Sequence, residues 1–97
     1  MSKRIKAGVA TGNEVQEIFE LAKAKKFALP AVNVIGSNSI NGVLETASKL
    51  NAPVIIQFSN GGAVFNAGKG LSNENQIAAI KGAIAGAKHV HELSKVY

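Results

Sequence analysis

Ser59, Asn60, Gly61 and Gly62 form the group in this 97-residue chain best suited to holding an anion. They follow Pro53-Val54-Ile55-Ile56-Gln57-Phe58, a nearly unbroken apolar run, and they lead on to Ala67-Gly68-Lys69-Gly70. Two glycines carry no Cβ, so the backbone can turn sharply there and approach a ligand closely. Backbone N–H groups at such a turn bind anions, and a serine hydroxyl adds a donor. A plain tight turn is the other reading of the same spacing. The nearest formal phosphate motif, the P-loop, does not fit: five residues separate Gly62 from Gly68-Lys69, and Gly70 stands where a hydroxyl is required.

Asn33 is a second candidate, the polar exception in the apolar run Phe27-Ala28-Leu29-Pro30-Ala31-Val32-Asn33-Val34-Ile35. A buried amide at this point must find hydrogen-bond partners and so braces backbone; an amide at the strand end points instead toward a ligand. Spacing leaves both open. His89-Val90-His91 offers imidazoles, but residues two apart on a helix point about 200° away from each other. Metal chelation on a helix wants i, i+4, so one surface and one half-buried histidine are expected.

The elements that must position these residues alternate. Thr11-Gly12-Asn13-Glu14 fits a capping box, with the Thr11 hydroxyl accepting from the Glu14 amide and the Glu14 side chain reaching back. Val15, Ile18, Phe19 and Ala22 then give a first helix one apolar stripe. A strand follows over Phe27–Ile35, with Pro30 near its first residue because proline cannot donate to a ladder. Gly36 to Ser39 makes a turn into a second helix that buries Ile40, Val43, Leu44, Ala47 and Leu50. The second strand spans Pro53–Phe58, and its solid apolar character suits burial on both faces. A long loop over 63–71 leads to a last helix capped by Ser72 or Asn73. Its buried side is expected at Ile77, Ile80, Ile84, Ala87 and His91, while Gly82, Ala83, Ala85 and Gly86 permit close approach to a neighbour. Alternation of this kind signals right-handed βαβ units with parallel strands, an α/β class. Ligands in such folds sit at the carboxyl ends of strands, where Asn33 and Ser59 stand. Two strands are few for a parallel sheet, so the chain reads as the beginning of a larger α/β protein.

Composition narrows the function classes. Apolar residues make up 46% and charged residues 18%, which fits a folded chain with a modest core. There is no cysteine, hence no disulfide framework and no zinc–thiolate cluster. The net charge of +5 suggests nucleic acid, but the charges are spread, and Lys23, Lys25, Lys26, Lys88 and Lys95 fall late in predicted helices, where they complement the macrodipole. Five aromatic residues do not interleave with them, so no nucleic-acid partner is expected. The basic N-terminus from Met1 lacks an apolar h-region, and no apolar run nears bilayer length, so a cytoplasmic protein without membrane attachment is expected. All six acids are glutamates, Glu14, Glu17, Glu20, Glu45, Glu74 and Glu92, each on a predicted helix surface. No aspartate exists to work beside the strand ends.

Five blocks of the chain together resemble the N-terminal part of class II, zinc-dependent fructose-bisphosphate aldolases of the class IIA branch. They are Phe27–Asn33, Ser39-Ile40-Asn41 with Val43–Ala47, Ala52–Ala63, Ala67–Gly70 and Gly86–His91. The resemblance runs from about Lys6 to Tyr97, and the block from Pro53 to Gly70 is the most specific. It implies a (β/α)8 TIM barrel, usually a homodimer, acting in glycolysis and gluconeogenesis. That family cleaves fructose 1,6-bisphosphate reversibly into dihydroxyacetone phosphate and glyceraldehyde 3-phosphate. Zinc polarises the ketone, and an aspartate moves the protons. By the same resemblance Ser59 binds the glyceraldehyde 3-phosphate portion and Asn33 helps shape the substrate site. The family's third strand, which ends in a His-x-Asp-His motif, has no counterpart before Tyr97, and His89 and His91 match helix positions rather than ligands. Residues 1–97 are therefore expected to be the N-terminal portion of a single barrel domain: a leading helix and the first two βα units. Alone, the chain is expected to lack catalytic residues, metal ligands and turnover, and to aggregate or unfold partly. The competing expectation is a stand-alone, non-enzymatic βαβ module that binds a phosphorylated ligand or a partner and unfolds cooperatively.

Overall fold

Glu14 secures the first helix by reaching back to the chain before it. In the computed structural model, which describes residues 6–97, this helix is α1, Asn13–Lys25. The first five residues of the basic N-terminus lie outside the described residues. Half of the predicted capping box forms: Glu14 Oε1 accepts from the Thr11 N–H at 3.1 Å. The other half is backbone, because the Glu14 N–H donates to the Thr11 carbonyl at 3.0 Å rather than to its hydroxyl. Gly12 takes the cap position with φ 57°, which leaves the threonine one residue too early to cap. Along the predicted stripe Val15, Ile18 and Ala22 are half-buried, but Phe19 is exposed.

The strands β1, Ala31–Asn33, and β2, Ile55–Gln57, pair in parallel with Val32 opposite Ile56 and Asn33 opposite Gln57. Both are shorter than the apolar runs that announce them. The ladder extends one bond either way, from the Ile55 N–H to the Pro30 carbonyl at 2.9 Å and from the Val34 N–H to the Gln57 carbonyl at 3.1 Å. Pro30 thus stands immediately before its strand, as its missing donor requires. Burial on both faces does not occur. Val32, Val34, Ile56 and Phe58 alternate onto the covered face, whereas Ala31, Asn33, Ile55 and Gln57 lie exposed on the other. Residues of α2 and α4 pack against one face of this two-stranded ribbon, and the residues of its other face are exposed.

Between the strands runs α2, Gly36–Leu50. Its first turn begins inside the segment predicted as a turn, and Ser39 folds back so that Oγ accepts from the Ile35 N–H at 2.8 Å. Ile40 and Leu44 are buried and Val43 and Ala47 half-buried; Leu50, in the last turn, is exposed instead of buried. Val34, Ile40 and Leu44 form the centre of the core, with Val32, Ile56, Phe58 and Val90 packed around them.

The largest departure follows β2. The predicted long loop is mostly a helix, α3, Asn60–Ala67. Gly68, at φ 104°, ends it. A 3-10 turn, Glu74–Gln76, then leads into α4, Ile77–Leu93. Ser72 and Asn73 both serve that start: Ser72 Oγ accepts from the Glu74 N–H at 3.2 Å and Asn73 Oδ1 from the Ala79 N–H at 3.0 Å. The buried face of α4 is the opposite of the predicted one. Ala78, Ala79, Gly82 and Gly86 are buried, the two glycines giving the close approach expected of them, while Ile77, Ile80, Ile84 and His91 are exposed and Ala87 is half-buried. Sterics decide this. A Cβ on Gly82 would lie 1.7 Å from the Ala63 carbonyl oxygen, and one on Gly86 would lie 2.3 Å from Phe58 Cε1. Only a glycine face lets α4 lie this close to α3, and that approach turns the isoleucines outward.

Candidate functional site at the strand ends

Parallel pairing puts the carboxyl ends of β1 and β2 side by side, and the two residues singled out from sequence lie there. Asn33 is the last residue of β1, and Ser59 follows β2 by two residues. Asn33 is exposed, so the brace of a buried amide is not its role. Ser59 is also exposed and is the N-cap of α3, its Oγ accepting from the Gly62 N–H at 3.0 Å. Its hydroxyl proton stays free to donate outward. The Ala63 N–H bonds to the Ser59 carbonyl at 2.9 Å, so helical pairing starts at Ala63. The N–H groups of Asn60 and Gly61 in the first turn have no carbonyl within the helix to meet, and the positive end of the helix dipole favours an anion beside them.

The glycines serve this corner differently from the sharp turn expected. Neither Gly61 nor Gly62 has positive φ. Gly62 is buried because a Cβ there would lie 2.9 Å from Ile35 Cγ2 and 3.2 Å from the Val34 carbonyl oxygen. Its bare Cα lets α3 seat against the chain leaving β1. Asn60 is held from the other side, donating through Nδ2 to Gln76 Oε1 at 3.3 Å. Gln76 and its neighbour Asn75 have φ of 62° and 57°, a left-handed conformation that asparagine tolerates and glutamine seldom adopts, so the segment facing Asn60 is sharply bent.

Asn66 was missed by sequence reasoning. It lies on α3, and its amide joins three elements: Oδ1 accepts from the Gly36 N–H at 3.2 Å, and Nδ2 donates to the Gly82 carbonyl at 3.0 Å. A signal existed, since Asn66 is the one polar residue in Ala63-Val64-Phe65-Asn66-Ala67. Reading that stretch as a loop hid it.

The corner offers hydrogen-bond donors and no carboxylate. The glutamates all lie in helices or the 3-10 turn, away from the strand ends. Among the described residues no three of His, Cys, Asp and Glu gather to hold a metal. His89, the half-buried histidine in place of His91, pairs through Nε2 with Asn41 Oδ1 at 2.9 Å and so ties α4 to α2. A cavity of about 750 Å³ lies at the amino ends of the strands, lined by Val15, Ile18, Leu29, Leu44 and Tyr97 among others. It is mostly apolar and separate from the polar corner.

Ligands in α/β folds sit at the carboxyl ends of parallel strands, the end at which this hydroxyl-capped helix starts. The chain belongs to the class II fructose-bisphosphate aldolase family, whose model matches residues 13–96. It is 60% identical over 94 residues to fructose-bisphosphate aldolase class 2 of Escherichia coli K12 and 63% over 95 residues to that of Buchnera aphidicola. Each match covers 96% of this chain and 26% of the relative. A crystal structure of fructose-bisphosphate aldolase from Campylobacter jejuni superposes with a TM-score of 0.86 at 59% identity, covering 96% of this chain and 26% of that one. The chain thus spans about a quarter of the length of the relatives it matches, in keeping with an incomplete α/β barrel.

Proposed function

We propose that this chain supplies the substrate-phosphate corner of a fructose-bisphosphate aldolase that cleaves fructose 1,6-bisphosphate reversibly into two triose phosphates, in glycolysis and gluconeogenesis. In this reading Ser59 donates its hydroxyl proton to a phosphate oxygen of the glyceraldehyde 3-phosphate half, and the first N–H groups of α3 face the same anion. Asn33, one strand over, orients the sugar through its amide. The position of Ser59, exposed yet fixed as the cap of α3 at the strand carboxyl ends, carries the reading.

The zinc of the family does not fit this chain's own donors: there is neither cysteine nor aspartate, and His89 is engaged with Asn41 on α2. The residues here bind and orient; the bond-breaking chemistry needs groups that this chain does not contain. By itself the chain is therefore inactive, while the complete protein is a zinc-dependent, cytoplasmic homodimer. No described helix is long and apolar enough to cross a membrane. Exposed Phe65, Ile77, Ile80 and Ile84 speak against a self-sufficient module.

The test is a chimera in which this chain replaces the matching quarter of the Escherichia coli aldolase. It should cleave fructose 1,6-bisphosphate, and Ser59→Ala should lower kcat/KM about tenfold or more, the loss of one charge-assisted hydrogen bond. The unfused chain should show no turnover with zinc added. An inactive but folded chimera would overturn the reading.

A further inference from the structure

We propose that Asn66 is a positioning residue for the strand-end site, a clamp that sets the distance between the Asn33 and Ser59 corners. The inference rests on the aldolase reading for what the corner binds, but its geometry is independent of it. Gly36 is the first residue of α2, so its N–H is one of the donors left without an intrahelical partner. No side chain of α2 meets it. Asn66 does, from an element 30 residues further along the chain.

The other end of the same amide bonds the Gly82 carbonyl in the middle of α4. A Cβ on Gly86 would lie 2.9 Å from Asn66 Nδ2, so glycine there clears the space in which the amide turns toward α4. One planar group thus links the turn three residues beyond Asn33, the helix capped by Ser59, and the helix that backs both. Since α3 carries Ser59 at one end and Asn66 near the other, a shift of Asn66 tilts α3 and moves the serine hydroxyl and the first N–H groups relative to Asn33. Neither a hydrophobic side chain nor an alanine can replace both bonds. Aspartate keeps an acceptor for Gly36 but sets a negative oxygen against the Gly82 carbonyl.

Hydrogen exchange and chimera kinetics test the two parts separately. In the folded chimera described above, Asn66→Ala should speed exchange of the Gly36 N–H about tenfold, the loss of one hydrogen bond, while Asn66→Asp leaves it within about threefold of the parent. An unchanged Gly36 rate in Asn66→Ala would overturn the clamp. In the chimera described above, Asn66→Ala should raise KM for fructose 1,6-bisphosphate about fivefold or more with kcat within about twofold, because the corner contributes uniform binding remote from the reacting carbon. A fall in kcat at unchanged KM, or no change in either, would overturn the positioning role. Should the parental chimera be folded but inactive, the aldolase reading fails and Gly36 exchange still judges the clamp. If Asn66→Ala does not fold, the parent decides: a scalar coupling across the hydrogen bond between Gly36 N and the Asn66 side-chain carbonyl supports the clamp, and its absence refutes it.

Discussion

The two faces of α4 invert the usual relation between hydrophobicity and burial. One face, Ala78, Ala79, Gly82 and Gly86, is small and buried; the other, Ile77, Ile80 and Ile84, is large, apolar and exposed. Burial here follows from how near two backbones can come, not from how much apolar area a side chain could hide. The α3–α4 contact lets backbone meet backbone, as the 1.7 Å between a notional Gly82 Cβ and the Ala63 oxygen shows. The isoleucine face is left 38–49% exposed. For the site, the consequence is that α3 and its serine cap are fixed by glycines on a neighbouring helix.

The largest effect expected from breaking this arrangement is that of Gly82→Ala. The added methyl would strike a backbone oxygen, which cannot swing aside, so α4 must move off α3. Overpacking of this kind costs about 3 kcal/mol or more and outweighs the ~1 kcal/mol that alanine gains over glycine in a helix. Urea denaturation of the chimera should show a clearly lowered midpoint. Gly86→Ala sharpens the comparison, since its methyl meets the Phe58 ring and the Asn66 amide, which can shift. It should destabilise by about 1 kcal/mol, with helix propensity offsetting part of the clash. Equal costs for the two variants would mean that close approach at Gly82 is not what orders this contact.

Sequence reading reached some of this and missed the rest for identifiable reasons. The βα order, the parallel pairing and the strand-end placement of Asn33 and Ser59 were legible because they rest on local patterns: apolar runs, Pro30, and turn chemistry after each run. The resemblance carried the family. On α4 the close approach at Gly82 and Gly86 was legible, but the exposure of the opposite face was not, because Ile77, Ile80 and Ile84 satisfy helical periodicity just as a core stripe does. Periodicity reports a face, and only the partner decides which way it turns. Likewise α3 was hidden because Gly61 and Gly62 look like breakers, whereas Gly62 is glycine to let α3 sit on Val34 and Ile35. Asn66 was marked only as the lone polar residue of its stretch; its two bonds, to residues 30 and 16 positions away, leave no trace in spacing.

Ser59 separates stability from function within the same corner. Ser59→Ala removes the acceptor for the Gly62 N–H and should cost about 1 kcal/mol, whereas Ser59→Gly should cost only a few tenths. Both lack the hydroxyl, so both should lose kcat/KM alike in the chimera. Thermal melts set beside kinetics for the pair would therefore divide capping from substrate contact. Were the activity loss to follow the stability loss across the two variants, the hydroxyl would be a cap and nothing more.

The smallest effect is expected on the isoleucine face, and it tests the comparison from the opposite side. Ile80 is 49% exposed, so Ile80→Lys in the 97-residue chain removes little burial and keeps a good helix former. Stability should change by less than about 0.5 kcal/mol, with aggregation reduced as the apolar patch is broken. In the chimera the same substitution meets whatever the other three quarters of an aldolase place over this face. A lysine there would be buried without a partner, which costs several kcal/mol and should prevent folding or assembly. Near-neutrality in both settings would show that the face stays open in the complete protein, and α4 would then be held by its glycine side alone.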